Sequence, residues 1–540
     1  MRHFDFGQVT LVRKYIQSGR KTQSRKRPAT PQIAEASIEM PDSIPQLLDA
    51  RVSKFREKAF LFSTADGRQW TYKQFGAAIE ALAGYFHSIG IKKGDVVSLL
   101  LPNSPEYVIA YFACWRIGAV AGPINSRLKS REIEWAVNNS ESRLLVCALD
   151  FKEKLAGRSI PEILVLDAEN FPAPCSTAPR VEIDSADEAI IIYTSGTTGT
   201  PKGCLLTHGN LIANARQITD WLGFGPADRL LTVMPLFHMN AVTVTTMTAL
   251  YCGGSTVVAP RFSASRFWKD ISDFGITSFG SVATMLQMLI SRSESGEFSQ
   301  PRTDSVRFAM CGSAPVPKEI LRRFEETFGI LVIEGYGLSE STCRATFNPP
   351  DHRRRPGSCG LPIGNEIRIV DDNDGELPNG VRGEIVLRGP NIFKGYFKNA
   401  EATAKAFRGG WFHTGDIGYR DSDGFLYIVD RKSDMIIRGG ENIYPREIEE
   451  LLYRHPAIES AAVIGVPDNL YGEEVAAFVV LREPDSVAES ELIEYCRAHV
   501  ADYKCPKTVR FVPDIPKGPT GKLLKRELAA LWKQNEIDKE

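Results

Sequence analysis

Short, unbroken apolar runs that stop at turn residues recur along this chain, and helical spacing follows them. Asp95-Val96-Val97-Ser98-Leu99-Leu100-Leu101 and Ala189-Ile190-Ile191-Ile192-Tyr193 are the right length for buried strands. Between and around them lie amphipathic helices. Ile44, Leu47, Leu48, Val52 and Phe55 fall at helical spacing behind a capping Ser43, with Pro45 in the first turn. Thr71-Tyr72 opens a second helix, Tyr107 to Trp115 forms a third, and Asn210 is expected to cap a fourth carrying Leu211, Ala215, Ile218 and Leu222. Strand, glycine loop, helix is the pattern of an α/β protein.

From Gly360 the texture changes. Ile367 to Val370, the turn Asp372-Asn373-Asp374-Gly375 and Gly383 to Arg388 predict β-structure with tight turns. Beyond Asp430 comes a smaller α+β unit. Pro445 starts a helix with Ile448, Leu451 and Leu452, while Leu492, Ile493, Cys496 and Val500 share another helix face. Strands are expected at Ala461–Val466, Val475–Leu481 and Thr508–Val512. The expected division is therefore a basic leader over 1–40, a large domain over 41–430 and a small domain over 431–540, with a hinge near Asp430–Asp434. A length of 540 residues suits three or four structural units at roughly 150 residues each.

Charge and cysteine usage exclude several classes. Sixty-five Lys and Arg nearly cancel sixty-six Asp and Glu, so a general polyanion binder, which needs a basic surplus on one face, is disfavoured. Ten scattered cysteines form no Cys-x-x-Cys pair or zinc spacing, which reads as reduced cysteines in a cytoplasmic protein. The leader carries Arg13, Lys14, Arg20, Lys21 and Arg25-Lys26-Arg27 without a secretory apolar core, and reads as a solvated tail, with an organelle-targeting or anionic-surface role as the alternative. Between Arg229 and Arg261 no side chain is charged, taking His238 as neutral, but Pro235, His238, Asn240 and Gly253-Gly254 interrupt the run. It reads as buried strand, loop, helix and turn, not as a membrane span.

The chemistry concentrates in Tyr193-Thr194-Ser195-Gly196-Thr197-Thr198-Gly199-Thr200-Pro201-Lys202-Gly203. Hydroxyls, glycine N–H groups and one lysine suit a phosphate cradle. It is not a Walker A loop, because Lys202 is followed by Gly203 and not by Ser or Thr.

This string resembles the signature of the adenylate-forming superfamily, which includes acyl-CoA synthetases, peptide-synthetase adenylation domains and firefly-type luciferases. Further matches follow in the family's order: Tyr336-Gly337-Leu338-Ser339-Glu340-Ser341, Trp411 to Asp416, Asp430-Arg431, Gly439 to Pro445, and Gly518-Pro519-Thr520-Gly521-Lys522. The resemblance implies a mixed α/β fold: a large N-terminal domain of α/β subdomains with a β-barrel-like part, and a small mobile C-terminal α+β lid. It also implies two half-reactions. A carboxylate attacks the α-phosphate of Mg-ATP to give acyl-adenylate and pyrophosphate, and a thiol then displaces AMP.

The resemblance also implies roles. Lys522 is similar to the lysine that bridges carboxylate and α-phosphate, Glu340 to the magnesium ligand, and His238 to the gate beside the carboxylate. Thr194, Ser195, Gly196, Thr197, Thr198, Gly199 and Lys202 resemble the phosphate loop. Ser313, Ala314, Glu334, Gly335, Tyr336 and Ser339 resemble further nucleotide contacts, with Tyr336 stacked on adenine. Asp416 resembles the carboxylate that accepts the ribose hydroxyls, and Arg431 the nucleotide contact at the hinge. Met239 and Gly337, with His238, would face the acyl group, in a wall extended by Asn240, Thr243, Ser281, Val282, Cys311 and Gly312. Arg438, Gly439 and Gly440 would meet the CoA arm.

Two departures stand out: Ser339 replaces a usual threonine and keeps the hydroxyl, while Ser433 replaces the charged residue usual at the hinge. The leading expectation is an AMP-forming carboxylic acid–CoA ligase for a medium aliphatic or aromatic acid, using Mg2+, ATP and CoA, with a homodimer in view. A stand-alone ligase that loads a carrier protein is the enzymatic rival. A peptide-synthetase module fits less well, since Phe237-His238-Met239-Asn240 lacks the aspartate such modules use and the chain ends soon after Lys522. A degenerate nucleotide-binding scaffold is disfavoured by the presence of both Glu340 and Lys522, and a luciferase-like oxidation of the adenylate, which light emission would reveal, is a further alternative.

Overall fold

Four sheets organise the chain. The structure is a computed structural model that describes residues 41–173, 177–194, 201–296, 301–312, 316–518 and 523–537. The basic leader, Ser195–Thr200, Ser313–Pro315 and Pro519–Lys522 lie outside the described residues.

The largest sheet has nine strands, and its centre is parallel. Val332–Tyr336, Phe308–Cys311, Ser278–Ser281, Arg229–Thr232, Ser255–Val258 and Ala59–Ser63 follow one another across it. Phe308–Cys311 is buried along its whole length, as a parallel strand covered on both faces should be. A second sheet of seven strands places Val96–Leu100 beside Val120–Pro123, which pairs in turn with Glu188–Thr194. One continuous apolar core runs from Ile44 to Leu426.

Helix starts follow local rules. Ser43 caps Ile44–Phe55, and Thr71 caps Tyr72–Ser88 with a capping box completed by Gln74. Asn210 is not the cap of its helix. Thr207 caps His208–Leu222, and Asn210 occupies the third helical position, its side chain returning to the Thr207 N–H at 2.9 Å. The reason is an unforeseen strand. Lys202–Thr207 pairs antiparallel with Glu188–Thr194, so the glycine string joins two strands before the helix begins.

The uncharged stretch after Arg229 forms a strand, then a fully buried π-helix over Asn240–Met247, then Thr248–Cys252 ending at Gly253 in the left-handed conformation. Among the described residues no helix is long and apolar enough to cross a membrane.

The third sheet contains Glu366–Val370, Gly383–Arg388, Trp411–Arg420, Phe407–Arg408 and Leu426–Arg431, all antiparallel. This is the antiparallel β-part expected after Gly360, five strands among the described residues. The fourth sheet is built on the long hairpin Ile458–Asp468 and Gly472–Leu481, to which Thr508–Phe511 adds in parallel. Two separate apolar clusters flank it, one packing Pro445–Leu452 and Glu489–Arg497, the other packing the C-terminal helix through Leu528. Val500 lies beyond the end of its expected helix and still packs against the first of these clusters.

Candidate active site

The parallel strands of the nine-stranded sheet end on one edge, and ligands in open α/β sheets bind beyond such carboxyl ends. There Val233, Pro260, Val282, Cys311, Gly312 and Tyr336, each at or just past a strand end, line a cavity of about 840 Å³. Asn103 ties the two α/β sheets together at this edge. Its side chain donates to the Met234 carbonyl at 2.9 Å and the Ala259 carbonyl at 3.3 Å, and accepts from the Leu236 N–H at 2.7 Å.

Three residues singled out from separate motifs meet on this wall. The Tyr336 hydroxyl donates to Asp416 Oδ2 at 2.6 Å, and Arg431 Nε lies 3.1 Å from Asp416 Oδ1. The hairpin Trp411–Arg420 and Leu426–Arg431 places Asp416 directly opposite Arg431. Burial alone would lower the Arg431 pKa, yet Asp416 and Tyr336 hold it above its ordinary value. Burial, and then the Asp416 charge, push the Tyr336 phenol well above its usual range, so Tyr336 remains a hydrogen-bond donor. Glu334 lies on the same wall, accepts from the Gly357 N–H at 2.9 Å and is pushed up to about 8 by burial.

Glu340 stands behind Leu338 on a short 3-10 turn, Ser339–Ser341. It is buried, which raises its pKa, and its Oε1 accepts from the Tyr396 hydroxyl at 3.0 Å. The ring itself meets the end of the phosphate string, with Lys202 Nζ 5.2 Å from the ring centroid. Tyr396 therefore joins two motifs almost 140 residues apart in sequence, since Gly395–Tyr396 pairs with Lys202–Thr207. Its sequence surroundings carried no signal for this. Gly337 is required by close approach: a Cβ there would lie 2.0 Å from the Cys343 carbonyl oxygen.

Residues near the C-terminus complete the far side. Lys517, Gly518, Leu523 and Lys525 line the cavity and flank the positions of the Lys522 motif. Lys525 pairs with Glu449 at 2.8 Å, and Arg446 N–H donates to Asp430 Oδ2 at 3.0 Å beside the expected hinge. Ser433 donates to Asp434 Oδ1 at 2.9 Å, a short local contact in place of a hinge charge.

Several expected residues sit elsewhere. His238 and Met239 are not on the cavity wall, although their neighbour Phe237 is. Burial drives the His238 imidazole down to about 4, so it is neutral at physiological pH. Arg438 pairs with Glu474 at 2.6 Å and stacks 4.0 Å from the Tyr471 ring centroid, away from the cavity, and Gly439 and Gly440 adopt positive φ beside it. Thr194 pairs with Lys202 at the mouth of the glycine string. Ser195, Gly196, Thr197, Thr198, Gly199, Ser313, Ala314 and Lys522 lie outside the described residues.

Comparison with known proteins decides the family. The model for AMP-binding enzymes matches residues 48–397, and that for the AMP-binding enzyme C-terminal domain matches residues 447–522. The chain belongs to the AMP-binding enzyme family. A sulfoacetate–CoA ligase from Cupriavidus necator is 37% identical over 513 residues, covering 92% of this chain and 99% of that protein. Among solved structures, ATP-bound MatB from Rhodopseudomonas palustris superposes with a TM-score of 0.84 at 30% identity, covering 91% of this chain and 99% of that one. The o-succinylbenzoate CoA synthetase of Bacillus subtilis, in complex with its acyl-adenylate, superposes at 0.81 with 32% identity, covering 89% and 97%. This AMP-binding enzyme is thus an ATP-dependent, AMP-forming carboxylic acid–CoA ligase that works through an acyl-adenylate, with ATP and CoA as cosubstrates.

Proposed function

We propose that the cavity at the sheet edge is where the acid meets ATP, and that the residues around it divide the work as follows. Tyr336 offers its ring to the adenine, and Asp416, oriented by the Tyr336 hydroxyl and Arg431, accepts the ribose hydroxyls. A carboxylate with both oxygens already oriented binds a diol without further ordering, which is preorganisation in the sense that matters for catalysis. The single observation that carries this reading is the Tyr336–Asp416–Arg431 contact set on the cavity wall.

Glu340 is the fitting residue for Mg2+. It is a buried carboxylate whose raised pKa a cation would offset, and oxygen donors suit this hard ion. Bound there, Mg2+ would neutralise phosphate charge. The phosphate string, with Lys202 held over Tyr396, would hold the same phosphates from the other side. Lys522 would stabilise the attacking carboxylate against the α-phosphate, since phosphoryl transfer depends on positioning and charge neutralisation. Met234, Val282 and Cys311 form an apolar wall for the body of an aliphatic or aromatic acid. The small domain from about Asp430 would turn about the Asp430–Asp434 segment between half-reactions, bringing Arg438, Gly439 and Gly440 to CoA. His238 would act as a neutral gate behind Phe237. A cytoplasmic setting suits the nine described cysteines, all free thiols, and a homodimer is part of this reading.

The deciding experiment separates the half-reactions. Lys522→Ala should lower acyl-adenylate formation by at least two orders of magnitude, about 3 kcal/mol, while thioester formation from pre-made acyl-adenylate is spared. Equal losses in both steps would remove Lys522 from its role. Pyrophosphate exchange absent from the wild-type enzyme across a broad acid panel would overturn the whole reading.

A further inference from the structure

Unpartnered polar atoms gather just behind the acid site. Arg344 is 1% exposed, yet its Nε and Nη2 have no hydrogen-bond partner. Its Nη1 reaches the Cys343 carbonyl at a long 3.5 Å, and the guanidinium lies 5.3 Å from the Phe347 ring centroid, a contact that supplies no hydrogen-bond acceptor for Nε or Nη2. No carboxylate pairs with it among the described residues. The backbone on either side is held in place: the Arg344 N–H donates to Asn214 Oδ1 at 3.1 Å, and its carbonyl accepts from Asn214 at 2.7 Å and from Asn391 at 3.0 Å. The guanidinium is thus fixed at its root and unsatisfied at its tip.

The tip lies against the cavity wall. A Cβ on Gly312, a wall residue, would be 2.8 Å from Arg344 Nη2 and 2.9 Å from its Cζ. Glycine therefore leaves room for the charge to stand directly behind the wall. One strand over, Asn240 is in the same state. Both its Oδ1 and Nδ2 lack partners, and Oδ1 lies 2.7 Å from where a Cβ on Gly280 would be. Gly280 and Ser281 pair with Met310 and Cys311, so the amide and the guanidinium stand at the carboxyl ends of neighbouring strands. His238 Nε2 and Thr243 Oγ1, close in sequence to Asn240, are buried and unpartnered as well.

Buried polar groups are nearly always satisfied, and a guanidinium cannot shed its charge. A buried cation without a protein counter-charge calls for an anion from outside. The carboxylate being activated loses its own charge when its oxygen bonds to the α-phosphate and pyrophosphate leaves, so it does not supply a lasting one. We infer that the acid carries a second oxyanion, a carboxylate or a sulfonate, and that Arg344 recognises that group, with Asn240 at the end of the adjoining strand as a further polar contact. This rests on the acid–CoA ligase reading above and names the class of acid: a compact molecule, activated at one end and charged at the other.

The test is AMP release by the full-length enzyme over three matched sets: short dicarboxylates, the corresponding sulfonate-ended acids, and monocarboxylates with alkyl or aryl ends. A bifunctional acid should exceed its uncharged counterpart by at least 100-fold in kcat/KM. The better of the first two sets identifies carboxylate or sulfonate. Arg344→Met should raise KM for the preferred acid about 100-fold and collapse the preference, while Arg344→Lys, which keeps the charge, should recover part of it. A hydrocarbon-ended acid as best substrate overturns the inference, as does a bifunctional preference that survives Arg344→Met unchanged. If Arg344→Met does not fold, the wild-type ranking with Asn240→Ala decides in the same way. Activity with no acid in any set would instead overturn the ligase reading itself.

Discussion

Gly337→Ala adds one methyl group where the chain has no room for it. The new Cβ would lie 2.0 Å from the Cys343 oxygen, 2.6 Å from its carbonyl carbon and 2.9 Å from Arg344 Cα. Real Cβ contacts stay beyond about 3 Å, so at least about 1 Å of movement is needed, and all three neighbours are backbone. None can swing aside as a flexible side chain would. The loop is also pinned at both ends: Ala345 N–H donates to the Tyr336 carbonyl at 2.8 Å, Leu338 N–H to Ser341 Oγ at 2.9 Å, and Thr342 Oγ1 to the Asn391 carbonyl at 2.7 Å. The movement must therefore be shared by the segment that carries Glu340 and by the strand that carries Tyr336. Overpacking of this kind costs about 1–3 kcal/mol of stability. A displacement of about 1 Å at a positioning residue costs roughly 100-fold in rate. The expected result is a modest fall in the urea midpoint and a loss of about two orders of magnitude in kcat/KM for ATP, measured by AMP release. Gly225→Ala is the control, since a Cβ there meets nothing within 4 Å and its φ is not positive. If Gly337→Ala keeps activity within threefold of wild type, the loop does not position the nucleotide site as argued.

Asp416→Asn should raise KM for ATP by about 10- to 100-fold with little change in KM for the acid, because a neutral amide cannot accept from both Tyr336 and Arg431 (about 1.5–3 kcal/mol); steady-state kinetics with each substrate varied will check this. His208 is fully buried, and burial lowers its pKa from 6.5 to about 4, with the charge of Asp187 working in the opposite direction. The unfolded chain therefore binds the extra proton first, so the contribution of His208 is complete above pH 6.5 and is lost as pH falls toward 4, by up to about 3 kcal/mol. Urea midpoints between pH 4 and 7 should show this slope, and His208→Gln should flatten it; an unchanged slope would show that another group is responsible.

Much of the local structure was legible because it obeys short-range rules. Ser43 and Thr71 cap helices because their side chains reach backbone N–H groups of the first turn, and that needs nothing distant. Asn210 shows the limit of such reading. It is a good cap by residue type, but the strand Lys202–Thr207 put Thr207 at the boundary, and that strand exists because Glu188–Thr194 lies beside it. The pair Tyr336 and Asp416, each marked by its motif, could be named from sequence, but their mutual hydrogen bond spans 80 residues and depends on how two sheets meet. Tyr396, Asn103 and Arg344 had no motif of their own.

The residue order by itself determined the α/β class, the series of motifs and hence the chemistry of carboxylate activation, because those patterns are carried by neighbouring residues. Tertiary structure decided which of those residues act on one another. It oriented Asp416 between a phenol and a guanidinium, set Tyr396 between Glu340 and Lys202, and left His238 behind the wall. It also buried the Arg344 guanidinium without a counter-charge among the described residues. The physical reason is that burial and pairing are set by strand register and sheet packing. A charge that looks solvated in a sequence becomes a specific demand for an anion once the folded chain closes over it.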